Sequence, residues 1–177
     1  MLSAAPGAVT LLVNNASKFD DDRIATLSSS VLDATLAVNL QAPVLLTQAF
    51  ASALPAARPG LIVNIIDQRV WRLTPRFFSY TISKAALWTA TQTLAQALAP
   101  RIRVNAIAPG PTLANIYQAP ADFAAEAKAL PLGRPVDPEE IGQALRYLID
   151  APSVTGQMIA VDGGQHLAWR TPDVLGD

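Results

Sequence analysis

Asp67, Tyr80 and Lys84 lie thirteen and four positions apart in the stretch IVNIIDQRVWRLTPRFFSYTISKAA, and these residue types at this spacing can run a proton transfer. Four positions make about one helical turn, so if the chain is helical from about Phe78, Tyr80 and Lys84 share a face. An ammonium beside a phenol favours the phenolate, so the pair predicts a tyrosine able to give up its proton near neutral pH. The apolar run Leu61–Ile66 predicts a buried strand that delivers Asp67 at its carboxyl end, which is where open α/β sheets bind their ligands. Taken alone, Asp67 also reads as a strand-end turn residue; the joint spacing favours the chemical role.

The elements that must position these groups alternate. Strand-like runs at Val9–Val13, Leu61–Ile66, Val104–Ala108 and Met158–Val161 are separated by alanine-rich helical patterns at about Ser30–Leu54, Phe78–Leu98 and Pro138–Ile149. The last pattern opens with Asp137 as N-cap and proline at the first helical position. Such alternation predicts an α/β fold, a doubly wound parallel sheet with right-handed crossovers and helices on both faces. A long proline-rich connection from Gly110 to Pro135, with a short helix expected at Ala121–Leu130, has the length of a segment that covers a site. The Asp20-Asp21-Asp22 run reads as a solvated loop leading into a helix.

At 177 residues, 51% hydrophobic and 15% charged, the sequence predicts a single soluble domain with a substantial core. Thirteen basic residues balance fourteen acidic ones and are scattered, which leaves no electrostatic footprint for nucleic acid or an anionic membrane. No apolar run approaches the roughly 18 residues of a bilayer span, and the start MLSAAPGAVTLLV lacks the basic flank of a secretory signal. A cytoplasmic location is expected. The absence of cysteine excludes disulfides and thiolate chemistry, and His166, the only histidine, makes a histidine-rich zinc site or a Ser-His-Asp triad improbable.

Four motifs in order resemble the short-chain dehydrogenase/reductase family across nearly the whole chain. They are LLVNNAS at Leu11–Ser17, YTISK at Tyr80–Lys84, RVNAIAPG at Arg103–Gly110, and the closing VDGG. The resemblance implies a Rossmann-like sheet and an NAD(P)H-dependent oxidoreductase. Tyr80, Lys84, Asp67 and Asn39 would be catalytic, with Asn39 holding a water in a proton relay. Asn14, Asn15, Ala16, Tyr80, Lys84, Pro109 and Gly110 would contact the cofactor. Asn39 also reads as a residue that caps or interrupts the long helix, and Asn14 and Asn15 as ordinary turn residues. Thr112 lies too close to Gly110 to match the family's threonine. The resemblance further implies a homodimer or homotetramer built on the two long helices.

Two departures from the family narrow the reading. Asp67 occupies the family's usual serine position, and Ser17 followed by Phe19 stands where a glycine is common. In the first respect the chain resembles pteridine reductases and dihydromonapterin or dihydrofolate reductases of that family, and in the second the pteridine reductases; this implies a pterin substrate, with Ser17 and Phe19 binding it and Phe19 stacking on its ring. A carboxyl near a tyrosine suits protonation of a ring nitrogen, whereas a serine hydroxyl suits a ketone oxygen. NADP(H) is expected over NAD(H). The alternatives are a general carbonyl or 3-oxoacyl reductase with a tolerated aspartate, and an inactive scaffold. The family's glycine-rich phosphate loop has no counterpart among the nine glycines, so the chain is expected to be an N-terminally truncated Rossmann domain retaining about the last four strands.

Overall fold

The structure is a computed structural model, and it describes residues 7–171. Residues 1–6, part of the stretch read above as lacking a secretory flank, lie outside it. Four parallel strands form one sheet in the order β1 (Leu11–Asn14), β2 (Gly60–Ile65), β3 (Ile102–Pro109) and β4 (Met158–Val161). Leu11 pairs with Leu61, Ile62 with Val104 and Ile107 with Ile159, so the strands' carboxyl ends lie along one side of the sheet.

The alternation of side chains along β2 divides the core. Ile62 and Val104 pack with Phe50, Leu54 and Ala95 from the helices on one face. Leu61, Val63 and Ile107 pack with Leu148 on the other. A strand covered on both faces has no polar side to alternate with, which is why β2 reads as an unbroken apolar run.

On the first face lie α1 (Ser29–Leu36) and α2 (Ala42–Ala53), joined by a π-helical turn at Ala37–Gln41, together with α3 (Phe78–Leu98). On the second lies α5 (Pro138–Asp150), opened by a capping box between Asp137 and Glu140. The strands step in one direction while α5 sits opposite the other helices. The β3-to-β4 connection therefore has the opposite hand to the first two, and the expectation of uniformly right-handed crossovers is corrected. Its long irregular segment, which includes α4 (Pro120–Lys128), removes the constraint that a tight strand-helix-strand unit imposes.

The helical stretch Ser29–Ala53 corrects a second expectation. Its 25 residues have a mean hydropathy of 1.3 over an 18-residue window, long and apolar enough by composition to cross a bilayer. Counting uninterrupted apolar runs missed it because Asp33, Asn39, Gln41 and Gln48 break the run without greatly lowering the mean. Its buried face carries Asn39, Thr47 and Phe50, as expected for a helix laid against a sheet.

Candidate active site

The site begins at the carboxyl end of β2. Beyond Ile66, Asp67 accepts the backbone N–H of Arg69 at 2.8 Å and caps the short 3₁₀ turn Gln68–Val70. This is the turn role foreseen for it, and the other carboxylate oxygen does something further: Oδ2 accepts the Tyr80 hydroxyl at 2.9 Å. Burial raises the Asp67 pKa, an effect partly offset by the Arg69 N–H and guanidinium and by Tyr80 and Lys84.

Tyr80 and Lys84 share one face of α3, as the spacing predicted, but the expected tuning is not what the geometry gives. Lys84 Nζ donates to the Ile65 carbonyl at 2.8 Å and stands 5.6 Å from the centre of the Tyr80 ring. Burial first, and the facing Asp67 next, push the Tyr80 hydroxyl well above the usual phenol range. The expectation of a lysine-stabilised phenolate is thus corrected. The carboxylate is the nearer charge and opposes ionisation, so among these groups Tyr80 holds its proton and shares it with Asp67. Lys84, 2% exposed, is itself lowered to about 8 by burial, with Asp67 pulling the other way.

The start of α3 is fixed from a distance. Phe77 takes the left-handed conformation at φ 55°, where its own side chain cannot cap the helix. Asp22 supplies the cap: its carboxylate accepts the Ser79 backbone N–H at 3.1 Å and, in a very short contact, the Ser79 hydroxyl. Asp22 is only 6% exposed, so the solvated-loop reading of the acidic run fails at this residue. The loop is held at two further points, by the Asp21–Arg76 and Lys18–Asp20 ion pairs.

Asn39 lies fully buried in the π-helical turn, where it does interrupt the long helix. Its Oδ1 accepts from the Lys18 N–H at 2.7 Å and the Ser17 hydroxyl at 3.3 Å, and its Nδ2 donates to the Lys18 carbonyl and to Ser83 Oγ, each at 2.9 Å. Two lone pairs and two N–H groups are then all used, so the side chain has no capacity left to hold a relay water. What it does is tie the loop carrying Ser17 and Phe19 to α3, for Ser83 donates in turn to the Tyr80 carbonyl at 2.7 Å.

Phe19 reaches the same place. Its ring stacks on Phe77 with centroids 4.4 Å apart and planes at 19°, and it meets Tyr80 edge-on at 4.7 Å. One face of Phe19 is therefore covered from within the chain. Ser17, Asn15 and Ala16 are exposed just past β1. Asn14 is buried and donates to Asn64 at 2.8 Å, and its Oδ1 has no hydrogen-bond partner. Pro109 ends β3, and Gly110 is required there: a Cβ would lie 2.7 Å from the Asp162 Cα.

Asp67 and Gly110 line a cavity of about 170 Å³ together with Arg69, Gln118, Glu126 and Gln165. Thr112 lines it as well, with its hydroxyl turned to the Gly110 carbonyl at 3.0 Å. Sequence reasoning missed Gln118, Glu126 and Gln165. They come from three separate segments, and no spacing in the chain links them.

The described residues fit the nicotinamide end of a dinucleotide cofactor. Tyr80 and Lys84 offer a hydroxyl and an ammonium at the strand ends, and Asn14 Oδ1 is an acceptor without a donor. They do not form a pyrophosphate cradle: α1 opens with Ser28 as N-cap, and no glycine-rich turn opens a helix among them. Among the described residues there is also no cluster of ligands for a metal ion.

Comparison with known proteins accounts for this arrangement. A family model described as enoyl-(acyl carrier protein) reductase matches residues 2–166. The 3-oxoacyl-[acyl-carrier-protein] reductase FabG of Thermotoga maritima is 36% identical over 89% of this chain and 66% of its own length. The dihydromonapterin reductase of Citrobacter koseri is 34% identical over 92% of this chain and 68% of its own length. The crystal structure of FolM alternative dihydrofolate reductase 1 from Brucella suis, in complex with NADP, superposes with a TM-score of 0.93 at 58% identity, covering 95% of this chain and 68% of that one. The chain thus spans about two thirds of the length of the relatives it matches. On the strength of the family match, these relatives and the four-stranded parallel sheet, the chain belongs to the short-chain dehydrogenase/reductase family of oxidoreductases.

Proposed function

We propose that this chain carries the catalytic and substrate-binding part of an NADP(H)-dependent reductase acting on the C=N bond of a dihydropterin. The observation that carries the reading is the Tyr80–Asp67 hydrogen bond at 2.9 Å, an acid pair in which both pKa values are raised, chiefly by burial. A bound nicotinamide cofactor supplies the hydride that reaches the carbon of the C=N bond. Tyr80 gives its hydroxyl proton to the neighbouring ring nitrogen, and Asp67, which accepts the Tyr80 hydroxyl and lines the cavity, passes a replacement proton from solvent back to Tyr80. Lys84 bonds the cofactor's ribose and holds the end of β2 through the Ile65 carbonyl. Asn39 positions the Ser17–Phe19 loop, and Phe19, one face of which stacks on Phe77, contributes apolar contact to the flat substrate.

The relatives support both halves of this proposal. NADP is named with the Brucella FolM structure, and pterin chemistry is named for FolM and for dihydromonapterin reductase. The match to FabG favours a second reading, a carbonyl or 3-oxoacyl reductase. A panel of dihydropterins and ketones, followed by NADPH oxidation, separates the two: turnover of dihydropterins supports the proposal, and turnover of ketones alone selects the second reading. Saturable fluorescence titration with NADPH tests whether this chain holds the cofactor.

The assembly we propose is a homodimer or homotetramer through α2 and α3. In its support, Leu45 is 61% and Leu46 51% exposed, and an apolar hollow of about 500 Å³ is lined by Val44, Leu45, Ala51, Leu94 and Leu98. Light scattering that finds only monomer counts against it.

A further inference from the structure

Besides Asp67, the cavity of about 170 Å³ presents a second carboxylate that takes no part in the proton chemistry above. Glu126, half-buried on α4, accepts the Gln118 side-chain amide on Oε2 at 2.7 Å and the Gln165 side-chain amide on Oε1 at 3.0 Å. Gln118 is in turn oriented by Asn115, whose amide donates to its Oε1 at 3.2 Å. Gln165 sits on a turn held by Asp162, which accepts the backbone N–H groups of Gly164 at 3.0 Å and His166 at 2.8 Å. The carboxyl group is thus fixed from both sides by segments far apart in sequence.

An ionised carboxyl group accepts about four hydrogen bonds. The two glutamines take one on each oxygen, which leaves acceptor capacity on both oxygens. No ion pair among the described residues occupies them. The guanidinium of Arg69, the cation lining the same cavity, lies 4.8 Å over the Phe77 ring, with Asp67 as its carboxylate at 4.0 Å. Two adjacent acceptors call for two parallel N–H donors, the fork that pairs best with a carboxylate. The pyrimidine edge of a pterin carries such a fork in its 2-amino group and ring N3–H, on the opposite side of the bicycle from the ring that is reduced. A ketone substrate offers no such fork.

The geometry points to Glu126, oriented by Gln118 and Gln165, as the specificity-determining acceptor for the 2-amino and N3–H edge of a pteridine whose reducible ring faces Asp67, the hydrogen-bond partner of Tyr80. This inference rests on the pterin reading above and adds the group that selects the ring. It makes the cavity discriminate between a 2-amino and a 2-oxo pteridine, because a carbonyl at that position would set an acceptor against an acceptor.

Fluorescence titration of the chain with pterin and with lumazine, its 2-oxo counterpart, in the presence of NADPH tests the inference. Unmodified protein is expected to bind pterin about tenfold or more tightly over lumazine, since a site built for an N–H group penalises its loss. Glu126→Gln removes that preference, as its amide can donate to the 2-oxo group, while far-UV circular dichroism stays unchanged. Gln165→Leu, which frees one carboxylate oxygen from its support, reduces the preference in part. An intact preference in a folded Glu126→Gln protein, or equal binding of both pteridines by the unmodified protein, overturns the inference and leaves the pterin reading standing. Binding of neither pteridine overturns both.

Discussion

Tyr80 donates its hydroxyl proton to Asp67 across 2.9 Å, while Lys84, one turn along the same helix, turns its ammonium to the Ile65 carbonyl. The proton is therefore shared with a carboxylate and is not drawn off by a cation. Asp67 reaches this position because β2 ends in a capped 3₁₀ turn, and Tyr80 reaches it because Asp22 starts α3. Each of these supports can be removed separately.

Loss of the cap should be felt at the site. Asp22→Ala is expected to cost about 1–2 kcal/mol for the cap, and more because the buried Ser79 N–H and hydroxyl lose their partner. Urea unfolding measures the cost. Dihydropterin turnover should fall in the same variant, because Tyr80 follows Ser79 directly. A change in stability under about 0.5 kcal/mol would show that α3 does not depend on this cap.

Gly110 has no room for a methyl group. A Cβ would lie 2.7 Å from the Asp162 Cα and 2.9 Å from its carbonyl oxygen, both backbone atoms with little freedom to yield. Gly110→Ala is expected to destabilise the protein by about 1–3 kcal/mol. Thermal unfolding checks this, and an unchanged midpoint would show that the two segments move apart at no cost.

Lys84 gives stability a distinct pH dependence. Its pKa in the folded chain is lowered to about 8 from the usual 10.5, so between those values the unfolded chain binds more protons. Stability from this group accordingly rises with pH from about 8 to about 10.5, by roughly 3 kcal/mol at about 1.4 per unit. Relative to Lys84→Met, which lacks the titration, the unmodified protein should gain stability across that window in urea unfolding. A difference between the two proteins that stays constant with pH contradicts a buried, desolvated ammonium.

Much of this was legible where the determinant is local. Phe78–Leu98 and Met158–Val161 form over the residues that the periodicity indicates, and Asp137 followed by proline opens α5 as read. What stayed hidden depends on partners distant in the chain. The Asp20–Asp22 run carries no mark that its last carboxylate is buried under a helix start 57 positions away. The π-helical turn carries Asn39, whose four side-chain hydrogen bonds reach two other segments. The spacing of Tyr80 and Lys84 was right, but the sign of the effect on Tyr80 depends on where the ammonium points, and the Ile65 carbonyl decides that.

The central claim is that Asp67 equips this site for a ring nitrogen. The most direct measurement is NADPH-dependent turnover of a dihydropterin by the unmodified protein and by Asp67→Ser, with a ketone run in parallel. A general acid partner of this kind contributes about 100-fold or more, so the account predicts a fall of about that size in kcat for the dihydropterin. Unchanged dihydropterin turnover in Asp67→Ser, or activity confined to the ketone in the unmodified protein, would contradict it.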